Sequence, residues 1–374
     1  MQKELNTDNI KSALFAEGLN QKQLAEKIGV SSQAITNWLK GNDFPRPPAL
    51  LKLAKILKLK FDELTIVDTS ADPIIAFRRT ANTKITDQHR EDAKHIGNLL
   101  KPLIPYIEGS SPLRTLITSP SLRYQALQDV VNETRAQLGV GESAVLNYSH
   151  IISSFKESGA VIVPTMWGPK KGHKNAVHIR LPQEDLTFIF LNLDTKIEDF
   201  KFWMAHELAH VFTPQLCGRD EGEDFADAFA GALLFPAGCA ADAYAKAVKK
   251  KDDYKKIAVF KQFATHHMIS LNTVYNQVKA YAEEHGLGTI RVDKNLLHAT
   301  RNMNDQPLVS EMLYEPMPAD PETFIASVEK EFESDFFLAL RRMIKAQGTG
   351  PGYIQSILDV PLLDAKALHR ELSH

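Results

Sequence analysis

Apolar positions recur every three or four residues along most of the chain, the spacing of amphipathic helices, and strand-like runs are confined to one short central stretch. Residues 8–67 alternate short apolar-periodic segments with polar turns, which predicts four or five short helices and no strand. Asn20 is placed to cap a helix over Gln21–Ile28, Gly29 supplies a turn, and Ser31 or Ser32 caps a second helix through Lys40, stopped by Gly41. Leu24, Ala25, Ile28, Val30, Ile35 and Trp38 then share a core. Residues 68–83 read as a linker with one apolar anchor, Ile74 to Phe77. Beyond it, Thr86 starts a helix carrying Ile96, Leu99, Leu100 and Leu103, and another runs near Ser121–Leu138. Ile151, Ile152 and Phe155 continue the helical pattern.

The period then changes. Ala160–Val163, Ala176–Leu181 and Leu186–Leu191 are rich in Val, Ile and Phe and predict a small three-stranded sheet. The intervening loop, with Trp167, Lys170, Lys171 and His173, reads as a solvated hairpin loop or a flap over substrate. From Ile197 onward the pattern is helical: Ala237–Lys249, Lys255–His267, Ser270–Glu284, one helix around Phe324–Ile344, and a final pair separated by Gly348–Gly352. The expected fold class is α+β, mainly α, over 374 residues. The expected division is 1–67, a five-helix N-terminal domain; 68–119, linker and helix; 120–287, a domain with the sheet; and 288–374, a helical region of unknown role.

Composition narrows the class. A net charge of −2 gives no general attraction to nucleic acid or anionic membrane, so such binding must be local. Residues 1–67 hold ten Lys and Arg against seven Asp and Glu, placing the basic surplus at the N-terminus. The first residues lack the apolar core of a signal peptide, and no apolar run approaches membrane-spanning length. With only Cys217 and Cys239, a disulfide framework is not expected, and a cytoplasmic protein without membrane contact is.

The candidate chemistry lies between Ile197 and Pro236. His206-Glu207-Leu208-Ala209-His210 is an HExxH motif, and on a helix its histidines stack on one face within reach of one metal ion. Phe202, Trp203, Leu208, Val211 and Phe212 bury that helix, where two histidines and a glutamate need a polar reason to be present. Pro214 ends it, and a second helix opens with Asp220, Glu221, Glu223 and Asp224. Glu223, Ala226, Asp227 and Ala230 share a stripe, so Glu223 is the preferred third ligand, with Glu221 and then Cys217 as alternatives. Asp227 is placed to accept the second imidazole N–H of His206 or His210. Such a set leaves a coordination position of Zn²⁺ open for water, which Glu207 deprotonates; Mn²⁺ or Fe²⁺ are alternative ions. His173 and Tyr148 are candidates to support the oxyanion.

Two resemblances follow. LNQKQLAEKIGVSSQAITNWLKG, with the helix LLKLAKILKL and the FDEL turn, resembles the Cro and phage-repressor-like (XRE) helix-turn-helix domain. That resemblance implies a double-stranded DNA operator, read as a homodimer. Gln33, Thr36 and Asn37 lie on the outer face of the second helix, beside Ser32, with Lys22, Lys27, Lys40 and Arg46 as phosphate contacts. MAHELAHVF followed by EDFADAFAGALLFP resembles the ImmA/IrrE metallopeptidases over roughly residues 120–285, although Phe225 stands where members often carry a further Glu. It implies a zincin-like domain, its sheet beside the HExxH helix, that cleaves a transcriptional repressor: this chain, a twin subunit or a nearby regulator. Two rivals remain, a metal-sensing transcription factor without proteolysis and an antitoxin-like or phage-related protein whose helical tail binds a partner.

Overall fold

Local signals build the N-terminal unit. Asn20 Oδ1 accepts from the Gln23 N–H at 2.9 Å and the Gln23 side chain reaches back to the Asn20 N–H at 3.0 Å, closing a capping box. Gly29 takes the left-handed conformation, φ 86°, that ends the helix without a Cβ clash. The computed structural model describes residues 3–40, 42–67, 72–76, 87–108, 116–167, 176–302, 306–315, 317 and 319–374. Gly41, Thr86, Lys170, Lys171 and His173 therefore lie outside the described residues.

The chain divides into Met1–Asp72 and Pro73–His374. The first unit runs β1 (Lys3–Leu5), α1 (Thr7–Ala16), α2 (Gln21–Ile28), α3 (Ser32–Leu39), α4 (Pro47–Leu57), α5 (Phe61–Leu64) and β2 (Thr65–Val67). All five expected helices are present. The expectation of no strand fails at Thr65–Val67, where β2 pairs antiparallel with β1 and fastens the two ends of the unit together. Leu24, Ala25, Ile28, Ile35, Trp38, Leu53 and Leu57 form its separate core.

The second unit begins with β3 (Ile74–Ala76) and α6 (Asp87–Leu100), followed by a 3₁₀ turn at Lys101–Tyr106. Next come α7 (Tyr124–Gln137), α8 (Tyr148–Glu157), β4 (Ala160–Thr165), β5 (Ala176–Leu181), β6 (Leu186–Asn192), α9 (Ile197–Phe212) and α10 (Asp220–Leu234). The three-stranded expectation is corrected here, because the sheet has four strands in the order β3-β5-β6-β4. The fourth comes from the segment read as linker, where Ile74–Ala76 of the apolar anchor pair antiparallel with β5, Phe77 lying outside the described residues. β5 and β6 form an antiparallel hairpin, while β4 lies parallel to β6. Every residue of β4 and β6 is buried, as their unbroken apolar runs require.

Helices α11 (Ala237–Ala247), α12 (Asp253–His267) and α13 (Leu271–Glu284) follow, then α14 (Lys294–Asn302), α15 (Val309–Leu313), α16 (Pro321–Glu331), α17 (Phe336–Gln347), α18 (Pro351–Leu358) and α19 (Leu362–Leu372). The single helix expected around Phe324–Ile344 is two. Glu333 takes a left-handed φ of 47°, and the Ser334 hydroxyl donates to the Ile162 carbonyl of β4, which stops α16 and reorients the chain. The region after 288 shares the core of the sheet: Phe324, Phe336, Leu340, Ile354 and Leu368 join one cluster with Phe188, Phe190 and Leu208. Trp167, expected in a solvated loop or flap, donates its indole N–H to the Leu358 carbonyl at 2.7 Å and stacks on Phe190. Among the described residues no single helix is long and apolar enough to cross a membrane.

Candidate metal centre and nucleic-acid interface

α9 is buried on nearly every side, so its polar side chains must find partners inside the protein. His206 and His210, one turn apart, point their rings together, with Nε2 to Nε2 3.2 Å. α10 packs against α9 and brings Glu223 in from its first turn, with Oε1 3.3 Å from His210 Nε2 and Oε2 3.5 Å from His206 Nε2. Donors each about 2.1 Å from a tetrahedral ion lie about 3.4 Å from one another. The three observed separations cluster around that value, and the Glu223 Oε2 atom is buried with no hydrogen-bond partner. The group could hold a metal ion.

Asp227, one turn along α10, accepts from His206 Nδ1 at 2.9 Å. This leaves the His206 Nε2 lone pair facing its partners once the ring is neutral. Burial presses His206 toward neutrality, but the hydrogen bond to Asp227, the close Glu223 carboxylate and the charge of Glu207 outweigh it and raise its pKa to about 9. Burial alone would raise the Glu223 pKa; the close approach of both imidazoles prevails and brings it down to about 2. For His210, burial dominates and lowers the pKa.

Glu207 points to the other side of the pair, where His178 on β5 meets it, Nδ1 to Oε2 3.2 Å, with both side chains 1% exposed. The His178 ring also packs edge-on against His210, centroids 5.4 Å apart. His178 was not among the sequence candidates. A lone histidine in an apolar strand reads as core, and the available signal was strand alternation, which puts His178 and Arg180 on one face and Val177, Ile179 and Leu181 on the other.

The alternatives stay outside the group of three. Glu221 is exposed on the first turn of α10. Cys217 is buried in the turn before α10, and burial raises its thiol to about 12. Tyr148 packs against the core from the start of α8.

In the N-terminal unit, α3 presents Ser32 and Gln33 as exposed residues and Thr36 and Asn37 as half-buried ones. Gln33 Nε2 donates to Asn37 Oδ1 at 3.0 Å, so the two amides form one polar edge. The Thr36 hydroxyl donates to the Ser32 carbonyl at 3.0 Å. Lys22 and Lys40 are exposed at the ends of the motif. Residues 10–64 match the helix-turn-helix family. That match supports a DNA-binding regulator with double-stranded DNA as partner. No curated protein and no solved structure matches the chain.

Proposed function

We propose that the chain is a DNA-binding regulator joined to a zinc-dependent endopeptidase that hydrolyses a transcriptional repressor, this chain or a twin subunit included. The observation carrying the reading is the set of donor separations among His206, His210 and Glu223, with Glu207 on the same helix and outside the ligand set. His206, His210 and Glu223 would hold the ion; its two imidazoles and one carboxylate suit Zn²⁺, and the same donors accept Mn²⁺ or Fe²⁺. A bound ion of this class polarises a carbonyl and brings the pKa of water toward about 7.

The chain's own residues supply the rest. Asp227 keeps the Nδ1 proton on His206 and fixes its ring. Glu207 takes a proton from the attacking water as its oxygen bonds to the peptide carbonyl carbon, and returns it to the amine nitrogen as the C–N bond breaks. His178 holds the Glu207 carboxylate in place. Joining the DNA-reading unit to this site raises the concentration of any substrate bound at the same operator.

The test compares wild type, Glu207→Gln and His210→Ala, each incubated with Zn²⁺ and with purified copies of the Glu207→Gln chain and cell extract. New N-termini should appear with wild type only, while Glu207→Gln keeps its metal and His210→Ala loses it. Persistent cleavage by Glu207→Gln would remove Glu207 as the base. A metal-loaded wild type that cuts nothing, but binds DNA in a metal-dependent way, would establish the sensing role instead.

A further inference from the structure

The second unit holds a cavity of about 540 Å³ that shares no residue with the metal group, between the start of α11, the end of α12 and the loop after α7. α11 begins at Ala237 with no capping side chain. The Ala237 N–H is taken by Gln128 Oε1 at 3.0 Å, and the next two N–H groups belong to Gly238 and Cys239, which line the cavity. The N–H groups of a first helical turn have no acceptor within the helix, and the dipole behind them favours an anion. Gly238 keeps that end open: a Cβ there would stand 2.7 Å from Ser143 Oγ, the hydroxyl on the facing loop.

Two buried cations stand behind the walls. Lys201 of α9, 1% exposed, donates through Nζ to the His267 carbonyl at 2.6 Å and so fixes the end of α12. Arg135 of α7, equally buried, donates to the carbonyls of Gly141, Ala144 and Leu233 and fixes the loop that carries Ser143. Carbonyls satisfy N–H donors but leave the net charge unbalanced, and among the described residues neither cation has a carboxylate partner. Asp242, the carboxylate in the lining, is already matched by Lys246 at 2.8 Å. His267 also lines the cavity, and its buried Nδ1 has no hydrogen-bond partner. Burial, with the charges of His266, Lys201 and Arg135, pushes its pKa down to about 4, the mark of a site short of negative charge.

We propose that this cavity binds a phosphate group, free or carried by a small molecule, with the Gly238 and Cys239 N–H groups and the Ser143 hydroxyl as donors and with Lys201 and Arg135 as the charge it balances. A phosphate group near neutral pH carries about two negative charges and three strong acceptor oxygens, which matches two cations and three donors. The cavity leaves room beyond a single phosphate ion, and the Phe263 ring, with Lys246 Nζ 4.9 Å from its centroid, gives the rest of a small molecule an apolar wall. The site stands or falls without the peptidase reading.

Calorimetric titration of the full chain compares ribose 5-phosphate, inorganic phosphate and ribose as probes. Both phosphates should bind and ribose should not; the tighter of the two shows whether an ester or the free ion is favoured. Lys246→Gln leaves Asp242 unmatched in the lining and should weaken binding about tenfold, and Ser143→Ala about fivefold. Asp242→Asn leaves Lys246 unmatched and should tighten binding about tenfold. All three positions are exposed, and opposite signs at Lys246 and Asp242 are not the signature of misfolding. Lys261→Gln, on α12 outside the lining, removes a charge without touching the site and should change binding less than twofold. Failure of both phosphates to bind overturns the proposal, as does equal binding by wild type, Lys246→Gln and Ser143→Ala, or a loss with Lys261→Gln as large as with Lys246→Gln. Binding that disappears with His210→Ala would place the phosphate on a metal ion and overturn it too.

Discussion

His206 holds one proton against Asp227 and, with a pKa of about 9, a second at neutral pH between Glu223 and His210. A metal ion needs the Nε2 lone pair that the second proton occupies, so binding must expel it. Glu223, brought down to about 2, and His210, lowered by burial, contribute no proton near pH 7. The sign follows: metal affinity should rise with pH, about tenfold per unit near neutrality, and level off as pH passes the His206 pKa. Calorimetric titration in buffers of different ionisation enthalpy should find about one proton released per Zn²⁺ at pH 7, and distinctly less for Asp227→Asn, which removes a group that raises His206. Release unchanged by Asp227→Asn would show that Asp227 does not control that proton. At this scale the HExxH spacing and the acid stripe of α10 were open to reading because each depends on one helix period. His178 was not, because its meaning comes from a contact with a helix 29 residues further along the chain.

The two helices of the centre are brought together by a turn with almost no spare room. A Cβ on Gly222, beside Glu223, would stand 2.3 Å from the Leu216 carbonyl oxygen and 3.0 Å from its carbon, both main-chain atoms that cannot rotate away. Gly222→Ala must therefore push the start of α10 outward and carry Glu223 with it. The expected cost is roughly 1–3 kcal/mol in chemical denaturation, as for other overpacked positions, together with reduced metal retention in the folded protein. An alanine variant with wild-type stability and metal content would mean that the turn is looser than its geometry states. Elements with local punctuation were legible for the same reason that this turn is tight, since caps, glycines and prolines act on their own neighbours. Asn20 and Gly29 bounded α2 correctly. β3 was not legible in this way: a short apolar anchor in a polar stretch becomes a strand only because β5 offers an edge. The break between α16 and α17 was hidden likewise, since the Ser334 hydroxyl is fixed by a carbonyl 172 residues away.

At the scale of the whole molecule, the described residues form two cores that share no residue, one within Met1–Asp72 and one within Pro73–His374. The C-terminal region belongs to the second. The Tyr353 hydroxyl donates to the Leu99 carbonyl at 2.7 Å across 254 residues of sequence, a contact that helical periodicity alone cannot announce. Helices α16 to α19 are thus part of the support for the sheet under the metal group, and a partner for this tail would have to use its outer surface. Separate cores should melt separately, and a ligand stabilises only the unit that binds it. Zn²⁺ at a thousand times its dissociation constant adds about 4 kcal/mol, which for a unit of this size is a rise on the order of 5–10 °C. Calorimetry of the full chain should accordingly show two transitions, of which chelation lowers only the one with the larger enthalpy, that of the larger unit. His210→Ala should fix that transition at its chelated position and make it indifferent to Zn²⁺. If both transitions moved together with metal, the DNA-reading unit and the metal unit would be energetically coupled, and occupation of the centre would be a signal to the DNA-reading surface rather than a condition for hydrolysis alone.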